Sequence, residues 1–307
     1  MASYSSLSVL CRCPRARIFR TAMKGVNVSS DALTFGKAYH ECIETGDINS
    51  GILELQKGGL EKDTDLLIEM YTRFLTFIKN QNIEILENEV EFTVNTEEGD
   101  FVGKIDAILS WNGEIYLGEF KTAKYITYDH VPIDSQITSY LWACDKIDKY
   151  HPKGLIWIAN KKSVEKQPNI LKNGHLSVAK NQGVSYSVYK KCADEIYGND
   201  KPKGVEEFIE WLKQNDNPMI LMAVTNRTKK QKSDYEKTLK TLMKQENIIM
   251  NDYKENGIIT ALRNCSCLPD KTCMQSCLYR DLCAELYTNE NITNEDVDVY
   301  IEGLKEE

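Results

Sequence analysis

Three charged residues stand among apolar neighbours in stretches built like β-strand. Asp106 lies within "KIDAIL", and Glu119 and Lys121 flank Phe120 in "GEFKTA". A charge in such company is solvated, paired or metal-bound, because burying it alone costs several kcal/mol or more. Side chains alternate along a strand, so Glu119 and Lys121 share one face and Phe120 takes the other. With Asp106 on an adjoining strand and within reach of Glu119, two carboxylates can hold a hard divalent cation such as Mg2+ or Mn2+. The Lys121 ammonium can then orient a water or balance charge developing on a phosphate. That constellation suits phosphodiester hydrolysis. The plain alternative is an exposed sheet face with a Glu–Lys ion pair, and Glu-x-Lys alone does not separate the two.

The surroundings favour a site. Gln136 and Tyr140, four apart on a helical stretch, share one face. His40 in "FGKAYHE" falls on a helical stretch and can add an imidazole ligand. Glu89, in the strand before Asp106, offers a further acid, with Glu91 competing for the same role.

Local patterns predict the elements that must position these groups. Apolar residues recur at three- and four-residue intervals over 65–79, which reads as an amphipathic helix. Residues 83–95, 101–110 and 114–122 read as strands, the last two joined by a turn at Trp111-Asn112-Gly113, and Asn-Gly is a strong hairpin signal. A three-stranded antiparallel meander over 85–122 is expected. A helix over 133–147, a buried strand over 154–160, an alternating strand over 184–189 and helices over 204–250 follow.

In order along the chain, Gly36 and His40, Glu89, Gly103 to Asp106, Glu119-Phe120-Lys121 and Gln136-x3-Tyr140 form a set that resembles the PD-(D/E)XK nuclease superfamily. The resemblance is to the branch containing the RecB and AddB nuclease domains and Cas4 exonucleases, and it covers roughly residues 1–160 and 265–287. It implies an α/β, restriction-endonuclease-like core: a mixed central sheet flanked by helices, with helical additions and a Cys-rich terminal staple. By the same resemblance His40, Asp106, Glu119 and the Phe120 carbonyl bind Mg2+ or Mn2+, with Glu89 as a further ligand. Lys121 is catalytic, and Gln136 and Tyr140 shape the site or contact DNA. An exonuclease acting on DNA ends or single strands in recombination, repair or viral DNA processing is the function implied.

Of the ten cysteines, five crowd between positions 265 and 283 and two, Cys11 and Cys13, lie near the start. Clustered cysteines in a chain without a secretory signal point to metal rather than disulfides. The family branch often carries an iron–sulfur cluster on one N-terminal and three C-terminal cysteines, which implies Cys13, Cys273, Cys277 and Cys283. Cys11 competes with Cys13, and Cys265 and Cys267 compete with Cys273. Four thiolates fit a [4Fe–4S] cluster or Zn2+, and cysteine count does not separate them.

At 307 residues and 42% hydrophobic content, the chain suits one large core with additions. The division expected is 1–30 for the N-terminal segment, 31–190 for the nuclease core, 191–260 for a helical region, 261–287 for the cysteine segment and 288–307 for an acidic tail. A net charge of −8 argues against coating nucleic acid by bulk electrostatics, so phosphate contacts are sought locally, at Arg15, Arg17, Lys229 and Lys230. No apolar run is long enough to span a bilayer, and a cytoplasmic protein (host cytoplasm, if viral) is expected. DNA is the expected partner. With no phosphate-binding loop motif, any helicase or recombination partner is a separate chain. The rivals are a non-catalytic DNA-binding or assembly subunit with a nuclease fold, and a zinc-stapled interaction protein.

Overall fold

The structure, a computed structural model, describes residues 1–23, 30–216, 218–265, 273 and 277–306. A short strand β1 (Ala2–Ser3) leads into α1 (Tyr4–Arg12) and α2 (Pro14–Ala22). Three helices follow: α3 (Asp31–Thr45), α4 (Ile48–Lys57) and α5 (Thr64–Asn80). The meander is β2 (Ile83–Thr96), β3 (Gly99–Trp111) and β4 (Glu114–Ala123), succeeded by α6 (Ser135–Ile147) and β5 (Leu155–Lys161). Beyond these lie α7 (Tyr186–Tyr197), α8 (Lys203–Gln214), β6 (Ile220–Thr225), α9 (Lys229–Asn264), α10 (Arg280–Thr288) and α11 (Asn294–Glu306). Among the described residues no helix is long and apolar enough to cross a membrane.

The sheet is mixed and flanked by helices, the α/β arrangement expected of a restriction-endonuclease-like core. β2, β3 and β4 pair antiparallel as the hairpin signal requires, with Asn112 and Gly113 at φ 53° and 77°, the left-handed pair of a tight two-residue turn. β5 then joins β4 in parallel, and β6 closes the far edge antiparallel to β5. Leu155 to Asn160 are all buried, which suits a strand covered on both faces. One face packs on α3, α4 and α5 through Phe35, Leu67, Phe74 and Phe120. The other packs on α1, α2, α6 and α9 through Leu10, Phe19, Leu141 and Leu262. A third small core around Tyr189 and Phe208 holds α7 to α8 in the segment between β5 and β6.

Two sequence readings need correction. The stretch 184–189, read as a strand, contributes to α7: Ser185 accepts a hydrogen bond from the Val188 amide as N-cap, and Tyr189 and Ala193 fall on one buried face. The region 204–250, read as helical, contains β6. Ile220 to Thr225 is a short apolar run whose pairing with β5 is a tertiary event, invisible to local periodicity.

Candidate metal centre

β3 gives one edge wholly to β2 and divides the other. β4 pairs with Ala107 to Trp111, and β1 pairs with Phe101 and Val102. Between them, Gly103 to Asp106 has no ladder partner on that edge among the described residues. The burial pattern changes phase at the same point: Phe101 and Ile105 enter one core, Ala107 and Leu109 the other. Asp106 occupies this split. Its Oδ2 accepts the Phe120 N–H at 2.7 Å, replacing the strand partner that β4 loses on turning towards β5. Gly103 is required beside it, because a Cβ there would stand 2.3 Å from the Phe92 ring, which packs edge-on against Tyr140.

Ligating atoms of His40, Glu89 and Asp106 lie within 4.8 Å of one another. His40 Nδ1 is 3.8 Å from Glu89 Oε1 and 3.8 Å from Asp106 Oδ2, while Nε2 is 3.1 Å from the Phe120 carbonyl. Glu89 adopts φ 52°, a left-handed backbone rare outside glycine, between the intact pairs Asn88–Ala107 and Val90–Ile105. Such local cost is found where the surrounding structure imposes it. Buried Asn160 fixes α3 behind His40: its amide donates to Tyr39 Oη at 3.1 Å and to the Met70 carbonyl at 2.7 Å, and its Oδ1 accepts from Arg73 at 2.8 Å.

Glu119 is 1% exposed. Its Oε1 is ion-paired with Lys121, and Oε2 has no hydrogen-bond partner among the described residues. Burial, then the charge of Asp106, pushes its carboxyl up to about 7. Burial also raises Asp106, against the pull of His40. His40 is held above its ordinary value: burial works against the charge, but Glu89, Asp106 and Glu119 outweigh it. Lys121 follows the same balance, with burial overcome by Glu119 and Asp106, so it stays protonated. Lys121 Nζ donates to Gln136 Oε1 at 3.3 Å, and Gln136 Nε2 donates to Tyr140 Oη at 2.7 Å.

The donor set is imidazole nitrogen, carboxylate and carbonyl oxygen, which fits a hard divalent cation. The unpartnered, buried Glu119 oxygen fits it as well, since such a group calls for a positive partner. The Glu119 carboxylate lies outside the trio of His40, Glu89 and Asp106, whereas Glu89 lies inside it.

The remaining candidates are more scattered. Arg15, expected at a DNA backbone, is buried: it donates to the Leu262 carbonyl at 2.9 Å and stacks over Tyr287. Arg17 is ion-paired with Glu246 at 2.5 Å. Both guanidiniums tie the N-terminal helices to α9 instead of facing solvent. Lys229 and Lys230 are exposed, and Lys230 pairs with Asp234. Burial raises the Cys277, Cys283 and Cys265 thiols, with smaller contributions from Cys13 and Cys273 at Cys277, from Cys13 and Cys277 at Cys283, and from Cys13 at Cys265. Burial pushes the Cys283 thiol up to about 11, against the lowering effect of Arg15, whose buried Nη1 lacks a hydrogen-bond partner among the described residues. Cys11 is exposed, and Cys267 lies outside the described residues.

Sequence patterns gave no notice of Asn160, or of Arg227, which is 4% exposed and donates to the carbonyls of Val131 and Asp134. Asp134 was legible in principle. An Asp before a helical run is an N-cap signal, and its Oδ1 accepts from the Gln136 and Ile137 amides, fixing Gln136 opposite Lys121.

A family model described as the PD-(D/E)XK nuclease superfamily matches residues 1–284. Among solved structures, one described as "Crystal structure of SSO0001" is similar over 47% of this chain and 70% of that chain, at 17% identity and a TM-score of 0.21. No curated protein matches the chain.

Proposed function

The chain belongs to the PD-(D/E)XK nuclease superfamily, and from that premise we propose that it is a metal-dependent deoxyribonuclease, acting as an exonuclease on DNA ends or single strands. The observation that carries the reading is the convergence of His40, Glu89 and Asp106 in the gap between β3 and β4, with Glu119 and Lys121 beside it. His40, Glu89, Asp106 and the Phe120 carbonyl, with Glu119 at the margin, would hold Mg2+ or Mn2+. Such a cation makes a water nucleophilic at neutral pH and draws charge from a phosphodiester oxygen.

The protein's own groups supply the rest. Lys121 is kept cationic by its acidic neighbours, which suits it to balancing charge on a phosphate more than to accepting a proton. Gln136, itself held by Tyr140, restrains the ammonium. Asp106 accepts the Phe120 N–H and so aims the Phe120 carbonyl and the two charged residues on either side.

Cys13, Cys273, Cys277 and Cys283 belong to the same proposal as ligands of a structural [4Fe–4S] cluster, with Zn2+ as the alternative. The influence of Cys13 and Cys273 on Cys277, and of Cys13, Cys277 and the Arg15 guanidinium on Cys283, supports it. A role in recombination, repair or viral DNA processing, with any helicase on another chain, suits a nuclease of this size.

The test is digestion of end-labelled single- and double-stranded DNA with Mg2+ or Mn2+. Mononucleotides or short oligomers released from one end support the exonuclease reading, and internal fragments replace it with an endonuclease.

A further inference from the structure

β4 ends at Ala123 and α6 begins at Ser135, so the intervening loop joins the strand carrying Glu119 and Lys121 to the helix carrying Gln136 and Tyr140. Three large side chains on it face solvent: Tyr125 is 79% exposed, Tyr128 54% and Ile133 80%. Single exposed apolar residues are ordinary. Three within nine residues, strung between the two elements of one candidate site, are a feature of that site.

The loop is anchored. Val131 is buried, and the His130 ring meets Trp157 edge-on at 5.3 Å. The Val131 N–H donates to the Tyr128 carbonyl, and the Ile133 N–H to the His130 carbonyl, each at 3.0 Å. Arg227 donates to the carbonyls of Val131 at 2.8 Å and Asp134 at 3.1 Å, and to Thr138 Oγ1 at 2.8 Å. The acids here are engaged: Asp129 accepts from Thr127, and Asp134 caps α6. These contacts fix the stretch from Tyr128 to Asp134, on which the Tyr128 and Ile133 side chains remain exposed. Pro132 and Ile133 form one wall of a groove of about 770 Å3, which Tyr4, Arg12 and Tyr235 also line. Ser135 and Thr138 of α6, the helix that carries Gln136 and Tyr140, line the same groove.

We propose that Tyr125 and Tyr128 are a stacking platform for unpaired DNA bases, over which a single strand passes towards Ile133 and the groove. The inference rests on the nuclease reading of the adjoining site and specifies its substrate. Exposed phenol rings gain little from a duplex, whose bases present only their edges, whereas an unpaired base offers a full π-face. Lys124, 5.7 Å over the Tyr125 ring, adds a cation beside the platform for the backbone. Stacking of this kind is indifferent to sequence, so discrimination lies between unpaired and paired DNA.

The test compares binding of a fluorescein-labelled thymidine oligonucleotide about 20 nucleotides long, longer than typical single-strand sites, with an abasic oligomer of the same length. Anisotropy is measured on the full chain in a chelator, so that nothing is cleaved. Wild type is expected to prefer the base-bearing strand. Tyr125→Ala/Tyr128→Ala should weaken thymidine binding by about tenfold or more while leaving abasic binding unchanged, and Tyr125→Phe/Tyr128→Phe should retain wild-type affinity. Unchanged melting of the alanine pair, expected for exposed side chains, separates loss of stacking from loss of fold. If wild type binds and cleaves DNA but the alanine pair binds thymidine equally well, the platform is wrong and the nuclease reading stands. If wild type neither binds nor cleaves DNA, the nuclease reading falls and the platform falls with it.

Discussion

Glu119 concentrates the electrostatic tension of the site. Its carboxyl, pushed up to about 7, binds a proton in the folded chain over a range where the unfolded chain has released it. That preference is fully present below the ordinary glutamate range and is lost as pH rises towards about 7, so metal-free stability should fall across that interval. Glu119→Gln should flatten this part of the profile, as read by thermal melts at fixed ionic strength. Added Mn2+ should raise the melting temperature more at pH 8 than at pH 5.5, because ligation requires the ionised carboxylates. The pairing of Glu119 with Lys121 follows from strand alternation and was legible. The turning of Asp106 towards Phe120 N–H, His40 and Glu89 was not, because it depends on where two strands part. Arg15 and Arg17 misled for a related reason: their partners Leu262 and Glu246 are more than two hundred residues away in sequence.

Among the elements, the strand and helix assignments around the site follow from local periodicity and the Asn-Gly turn, whereas β6 and α7 do not. A strand at a sheet edge and a capped helix with a short alternating start look alike in sequence until a partner is present. The same holds for Arg227, which locks the loop before α6 to β6. Removing it strands the buried carbonyl of Val131 and the hydroxyl of Thr138 without a donor. Arg227→Ala should therefore destabilise the fold by about 2–4 kcal/mol, measurable as a lower urea midpoint with little change in slope. Lys230→Ala, on the exposed start of α9, should be near neutral, since an exposed ion pair contributes little.

Across the whole molecule, the two chain ends meet. Phe19 stacks on Tyr279 at 4.8 Å, Arg15 crosses to Leu262 and Tyr287, and Cys13 stands near Cys277 and Cys283. A cluster ligated by both ends would tie α1 and α2 to the last helices and make metal part of folding free energy. Anaerobically purified protein should contain iron and acid-labile sulfide. Cys283→Ser should lose both and melt at a lower temperature, while Cys192→Ser, on α7 and apart from that group, should retain them. Zinc without sulfide would replace the cluster by a zinc staple.

The most direct measurement is cleavage of end-labelled DNA by wild type and Lys121→Ala, with Mn2+ and with a chelator. Wild type should degrade DNA only with the metal, and Lys121→Ala, still folded, should be slower by about 100-fold or more. Undiminished cleavage by Lys121→Ala, or none by metal-replete wild type, would contradict the assignment of the chemistry to the gap between β3 and β4.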